Sequence, residues 1–166
     1  MDIAYKTFPT KSELYAYVHG QVRLIAAETA DLTAILANTA ALLAMELEQL
    51  NWAGFYLLKD GRLILGPFQG KPAVAEIGMG NGVCGTAAVM RATQLVENVH
   101  SCCNHIACDA ATNSEIVVPI LLSDGSLFGV IDLDSPILSR FDEEDRAGLE
   151  GTAQILAAIV SDPAKV

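Results

Sequence analysis

Two hydrophobic periods divide this chain into helical flanks and a strand-rich centre. Thr10-Lys-Ser-Glu13, just after Pro9, has the spacing of a capping box and opens an amphipathic helix predicted to run to about Glu28. Asp31 can cap a second helix, in which Leu32, Leu36, Leu43, Leu47 and Leu50 recur along one face. That stripe predicts core or a subunit contact. From Asn51 to Leu58 the residues turn aromatic and β-favouring, and Asp60-Gly61 marks a two-residue hairpin turn before a strand over Arg62–Leu65. A loop over Pro67–Gly70 and a short strand over Ala73–Ile77 follow. Gly78, Gly80, Gly82 and Gly85 then punctuate the chain around Cys84, before a short helix expected from about Thr86 to Arg91 and a strand over Gln94–Glu97.

A second hairpin is expected from Ile116–Leu122 and Ser126–Asp132 around Asp124-Gly125. Pro119 cannot donate to a ladder, so it belongs at a bulge or an unpaired edge. Asp142 caps a last helix with Leu149, Ala153, Leu156 and Val160 on one face. Helices at both ends of a hairpin-rich centre indicate an α+β fold with a mostly antiparallel sheet. One sheet face would carry the terminal helices, and the other would hold a ligand under long loops.

At 166 residues and 52% hydrophobic composition, one domain spanning 1–166 with a core over about 32–160 is expected. Twenty acidic against ten basic residues leave a formal charge of -10, which repels nucleic acid and anionic membrane surfaces but is compatible with a small zwitterion. The N-terminus lacks the pattern of a signal peptide, and no apolar run reaches membrane-spanning length. A cytoplasmic location follows as an expectation, and in that compartment cysteines stay reduced and serve reactivity or metal binding more than structural disulfides.

Candidate chemistry gathers between Val99 and Glu115, which holds three of the four cysteines (Cys102, Cys103, Cys108) and two of the three histidines (His100, His105). The spacing matches no standard zinc knuckle and no second Cys-x-x-Cys pair completes a set, so no metal is expected. The glycines around Cys84 lack the Lys-Ser or Lys-Thr of a phosphate loop and read as a turn needing positive φ. A redox reading fits better. A Cys108 thiolate would be favoured by His105 and loop amides, and Cys84 could resolve an oxidised Cys108. Asp132 and Asp134, two apart on a strand, share a face. Two acids at an apolar strand end are costly unless they bind something, although a solvated strand end would also suit them. Trp52 and Tyr56 share a face too, as core or as the wall of an apolar pocket.

The motifs NWAGFYL (Asn51–Leu57), LGPFQGK (Leu65–Lys71), GVCGT (Gly82–Thr86), HIACD (His105–Asp109), NSEI (Asn113–Ile116) and DLDS (Asp132–Ser135) together resemble the free methionine-(R)-sulfoxide reductases, which are stand-alone GAF-domain enzymes. The resemblance runs from about Leu32 to Leu149 with the motifs in register. It implies a GAF fold with a six-stranded antiparallel sheet, helices on one face and often a homodimer formed through them. It implies reduction of free L-methionine-(R)-sulfoxide with electrons from thioredoxin and no cofactor. Cys108 would attack the sulfoxide sulfur and become a sulfenic acid. Glu115 and Asp134 would hold and protonate the sulfoxide oxygen, and Asp132 would bind the ammonium group. Trp52, with Tyr56 beside it, would wall the methyl pocket, and the amides of Ile106 and Ala107 would meet the carboxylate. Where many family members carry a further cysteine, this chain has Val74. Cys84, which sits in the matching GVCGT motif, is the first choice of resolving thiol, with Cys102 and Cys103 as alternatives. The rival expectations are a GAF ligand sensor without catalysis and a thiol-based peroxide or metal sensor using Cys102 and Cys103.

Overall fold

The computed structural model describes residues 7–101 and 111–162. Thr10 opens helix α1 (Lys11–Glu28), its hydroxyl accepting from the Glu13 N–H at 3.2 Å, and Asp31 caps α2 (Leu32–Glu46) through the Ala34 N–H. The strands are β1 (Trp52–Lys59), β2 (Arg62–Gly70), β3 (Glu76–Gly78), β4 (Gln94–Val96), β5 (Ser114–Leu121) and β6 (Leu127–Ser135). Helix α3 (Gly82–Met90) lies between β3 and β4, and α4 (Glu143–Ser161) closes the chain with a capping box between Asp142 and Asp145.

All six strands form one sheet in the order β3-β2-β1-β6-β5-β4, with antiparallel pairing throughout. Successive residues of each strand point to opposite faces, and the sheet divides two apolar cores accordingly. Ala53, Phe55, Ile116, Val118, Ile131 and Leu133 face one core, where α2 covers β1 and β2, α4 covers β5 and α1 packs across both helices. Trp52, Tyr56, Val117 and Val130 face the other, under α3. The α2 leucine stripe is core rather than a contact surface: Leu36, Leu43 and Leu47 are buried, and Leu32 and Leu50 pack against the same cluster.

Several expected boundaries move. The segment Pro67–Gly70 is strand and not loop, because β2 continues alongside Trp52–Gly54 after a bulge. Gly54 pairs with Phe68 and Tyr56 with Leu65, so Gly66 and Pro67 together face Phe55, and the proline's missing N–H falls where the ladder is already interrupted. Helix α3 begins at Gly82, four residues earlier than Thr86, which places Cys84 in its first turn. Gly80 and Gly82 take positive φ, as the turn reading requires, whereas Gly85 serves a close approach: a Cβ there would lie 2.5 Å from the Gly78 carbonyl oxygen. The short strand β3 also starts later than expected, at Glu76. Pro119 sits past the last residue that β4 pairs with, on the open side of β5. The Asp60-Gly61 turn has both residues at positive φ, as a type I′ hairpin needs.

Candidate active site

The sheet face beneath α3 is apolar except at one end of its three central strands. There Trp52 of β1 pairs with Asp134 of β6, and Asp134 pairs with Glu115 of β5. One step along the face, Gly54 pairs with Asp132 and Asp132 with Val117. Residues directly opposite in an antiparallel sheet project side by side, so register alone gathers three carboxyls on one small patch. All three are buried, at 5% (Glu115), 2% (Asp132) and 3% (Asp134) exposure. From above, α3 lowers Cys84 onto them. Its Sγ and one oxygen each of Glu115 and Asp132 lie within 4.8 Å of one another.

Burial sets the protonation of this group. Loss of water, then the neighbouring Asp132 and Glu115 carboxylates, pushes the Cys84 thiol well above its ordinary value. The thiol therefore stays protonated and donates to Asp132. Burial likewise raises Asp132 to about 7, against the lowering effect of its hydrogen bonds with Cys84 and Glu115. Asp132 Oδ1 has no hydrogen-bond partner among the described residues. A carboxyl raised from 3.8 to about 7 keeps a proton that the unfolded chain releases, so its contribution to stability falls as pH rises across that window. Asp132→Asn cannot ionise, and it is expected to lose less stability than the parent between pH 4 and 8 in urea denaturation (pH values about the two ends of that window). A variant that loses as much as the parent would contradict the assignment.

Trp52 and Tyr56 do share this face, stacked with ring centroids 6.0 Å apart, and Phe68 of β2 also stacks against the indole, at 5.2 Å. Two glycines make room for the indole. A Cβ on Gly54 would fall 2.4 Å from Phe68 Cβ and 2.8 Å from the indole Cη2, and one on Gly70 would fall 2.6 Å from its Cδ1. The indole N–H donates to the Lys71 carbonyl at 3.2 Å, and the Tyr56 hydroxyl donates to the Val74 carbonyl at 2.9 Å. The segment between β2 and β3 is thus tied over the aromatic wall by its own carbonyls. Phe68, Gly54 and Gly70 carry no role in the sequence reading. A glycine inside a strand that otherwise favours large residues is the signal that marks Gly54.

Cys102, Cys103, Ile106, Ala107 and Cys108 lie outside the described residues, as do His105 and Asp109. What flanks them is clear. The Val99 N–H donates to the Asn113 carbonyl at 3.0 Å, and His100 Nε2 meets Asn113 Oδ1 at 2.9 Å. Asn113 Nδ2 donates to the Pro136 carbonyl, and Asn51 Nδ2 donates to Thr112 Oγ1. Both stems of the cysteine-rich segment are therefore fastened to the end of β6 that carries Asp132 and Asp134. His100 belongs to this clamp.

A buried acid cluster, a buried thiol and an aromatic wall at one end of a GAF-like sheet agree with the comparisons to known proteins. The GAF domain profile matches residues 29–161. A free methionine-R-sulfoxide reductase of Escherichia coli (strain K12) is 49% identical over 139 residues, which is 84% of each chain. The structure of free methionine-R-sulfoxide reductase from Neisseria meningitidis in complex with its substrate superimposes with a TM-score of 0.89 at 41% identity, covering 95% of both chains. That of fRMsr of Staphylococcus aureus, also in complex with substrate, gives 0.82 at 46% identity, covering 93% of this chain and 98% of the other. The chain belongs to the free methionine-R-sulfoxide reductase family of GAF-domain proteins.

Proposed function

We propose that this protein reduces free L-methionine-(R)-sulfoxide to L-methionine, with Cys108 as the nucleophile. The observation that carries the reading is the row Trp52–Asp134–Glu115, with Asp132 beside it, buried on one sheet face in a chain of this family. A sulfoxide amino acid presents an ammonium, a basic oxygen and an S-methyl group. Asp132 suits the ammonium, Glu115 and Asp134 suit the oxygen, and the indole of Trp52 with Tyr56 suits the methyl. The Ile106 and Ala107 amides would receive the substrate carboxylate. A buried anionic subsite discriminates against peptide-bound methionine sulfoxide, which has no ammonium and would leave the acids unpaired.

In the first step the Cys108 thiolate attacks the sulfoxide sulfur while the acids protonate the oxygen. The oxygen ends on Cys108 as a sulfenic acid, and methionine leaves reduced by two electrons. A second thiol then attacks the sulfenic sulfur, expels water and leaves a disulfide, which a thioredoxin dithiol reduces by exchange. Cys84 is the first candidate for that second thiol. It is buried and protonated, and its hydrogen bond to Asp132 provides the acceptor for the proton it must lose. Cys102 and Cys103 are the alternatives. We place the reaction in the cytosol. No helix among the described residues is long and apolar enough to cross a membrane. A homodimer would use the outer faces of α1 and α4, where Leu24 is exposed beside His19, Arg23, Gln154 and Ile155, since the α2 stripe is spent on the chain's own core.

The test is to incubate the protein with each methionine sulfoxide epimer and dithiothreitol and to quantify free methionine. Turnover of the free R epimer alone, lost in Cys108→Ser, is the expected result. Saturable binding of the R epimer without release of methionine would overturn the reductase and favour a ligand sensor.

A further inference from the structure

The donor set that the fold brings together draws on α3, β5 and β6, where the sequence reading expects no metal. His100 is held in the stem clamp by Asn113. Cys84, Glu115 and Asp132 come from α3, β5 and β6 and offer a sulfur and two carboxylate oxygens, all buried, within 4.8 Å of one another. Ligands at ordinary zinc bond lengths of about 2.0–2.3 Å stand about 3.5 Å apart around a tetrahedral ion. Closing the triad onto an ion therefore takes at most about an ångström of movement by side chains on three rigid elements. A second observation falls on one of the three residues: Asp132 is 2% exposed, yet its Oδ1 has no hydrogen-bond partner among the described residues.

We propose that Cys84, Glu115 and Asp132 form a binding site for a zinc-class divalent cation, with a fourth coordination position left open. Two buried carboxyls and a thiol form a cluster whose charges repel once ionised, and a divalent ion removes that penalty. The thiolate selects a borderline-soft ion over magnesium or calcium, which prefer all-oxygen shells. On binding, the S–H proton leaves to solvent as the metal–thiolate bond forms, and any proton held between the carboxyls leaves with it. The ion would occupy the position assigned above to the substrate ammonium and would also block Cys84 as a resolving thiol. Zinc is thus expected to act as a reversible inhibitor. Inhibition rests on the reductase reading, whereas binding does not.

Cobalt(II) chloride is the probe, because a cobalt–thiolate bond produces near-ultraviolet charge-transfer absorption without any turnover. One equivalent of cobalt should give this band in the reduced parent protein. The band should persist in the Cys102→Ser/Cys103→Ser/Cys108→Ser variant and vanish in Cys84→Ser. Asp132→Asn retains the thiol and the side-chain shape. It should bind cobalt about 10-fold more weakly or worse, since losing even an outer-shell partner costs a metal site about 10–100-fold. No band in the parent, a band surviving Cys84→Ser, or one lost with the three other cysteines would overturn the site. So would unchanged affinity in Asp132→Asn, a measurement that tests the site even if Cys84→Ser fails to fold. A cobalt band in protein that turns over neither epimer would leave this site standing and remove the reductase.

Discussion

Glu115→Gln is expected to lower kcat for free methionine-(R)-sulfoxide by about 10²–10⁴-fold, the usual worth of a positioned general acid, while KM changes far less. Sulfoxide oxygen is weakly basic at rest and becomes strongly basic as the thiolate adds to sulfur. The proton is therefore needed in the transition state and not in the bound ground state. Glu115 is directly opposite Asp134 in the β5–β6 register, and both are buried with water excluded. Glutamine keeps the size and a hydrogen-bond donor, so it can hold the oxygen without surrendering a proton. Loss in kcat with KM preserved is the signature of that role. Asp132→Asn gives the contrast. On the proposed reading it removes the charge that faces the ammonium in ground and transition states alike, so KM should rise more than kcat falls. Steady-state kinetics on both variants checks the pair, with circular dichroism confirming folding. A Glu115→Gln enzyme within about tenfold of the parent kcat, below the range of general-acid effects, would remove Glu115 as the proton donor.

The carboxyl patch was legible in the sequence because strands obey a short rule. Residues two apart share a face, so Asp132 with Asp134 and Trp52 with Tyr56 could be paired without a structure. Helix caps were equally local: Thr10, Asp31 and Asp142 all cap their helices, although the reciprocal capping box forms at Asp142–Asp145 and only its Thr10 half at Thr10–Glu13. Contacts that join distant parts of the chain were not legible. The continuation of β2 past Pro67 depends on Trp52–Gly54 offering a ladder on the far side of a bulge. The early start of α3 depends on Gly85 fitting against the Gly78 carbonyl. Gly54 and Gly70 gain meaning only once the indole lies against them. The convergence of Cys84 with Glu115 and Asp132 needs the packing of α3 across β5 and β6, which no local period encodes.

Asp145 shows the same limit on the stability side, and Asp145→Ala is expected to destabilise the protein by about 3–5 kcal/mol, as breaking a buried ion pair does. In sequence Asp145 is one more acid in the first turn of α4. In the fold its side chain is 1% exposed. Oδ1 accepts from the Tyr15 hydroxyl at 2.9 Å, and Oδ2 accepts from Lys11 Nζ, from Arg140 Nη1 at 3.1 Å and from the Asp142 N–H at 3.1 Å. One carboxylate thus joins α1, the N-cap of α4 and the segment that follows β6. Truncation leaves the phenol and the guanidinium, itself only 11% exposed, without their acceptor. Burial, with the Asp145 carboxylate adjacent, holds the Tyr15 phenol above its usual range, so in the parent it stays a neutral donor to that carboxylate. At about 2–4 °C per kcal/mol for a chain of this size, the midpoint of thermal unfolding should fall by about 6–20 °C. Tyr15→Phe removes one neutral donor from the same carboxylate and should cost about 1.5–3 kcal/mol, the worth of a hydrogen bond to a charged acceptor. Combined, the two substitutions should destabilise by less than the sum of their separate effects, because Tyr15 has no carboxylate left to lose. Strict additivity in thermal or urea unfolding would show that the bond between α1 and α4 carries none of the stability assigned to it.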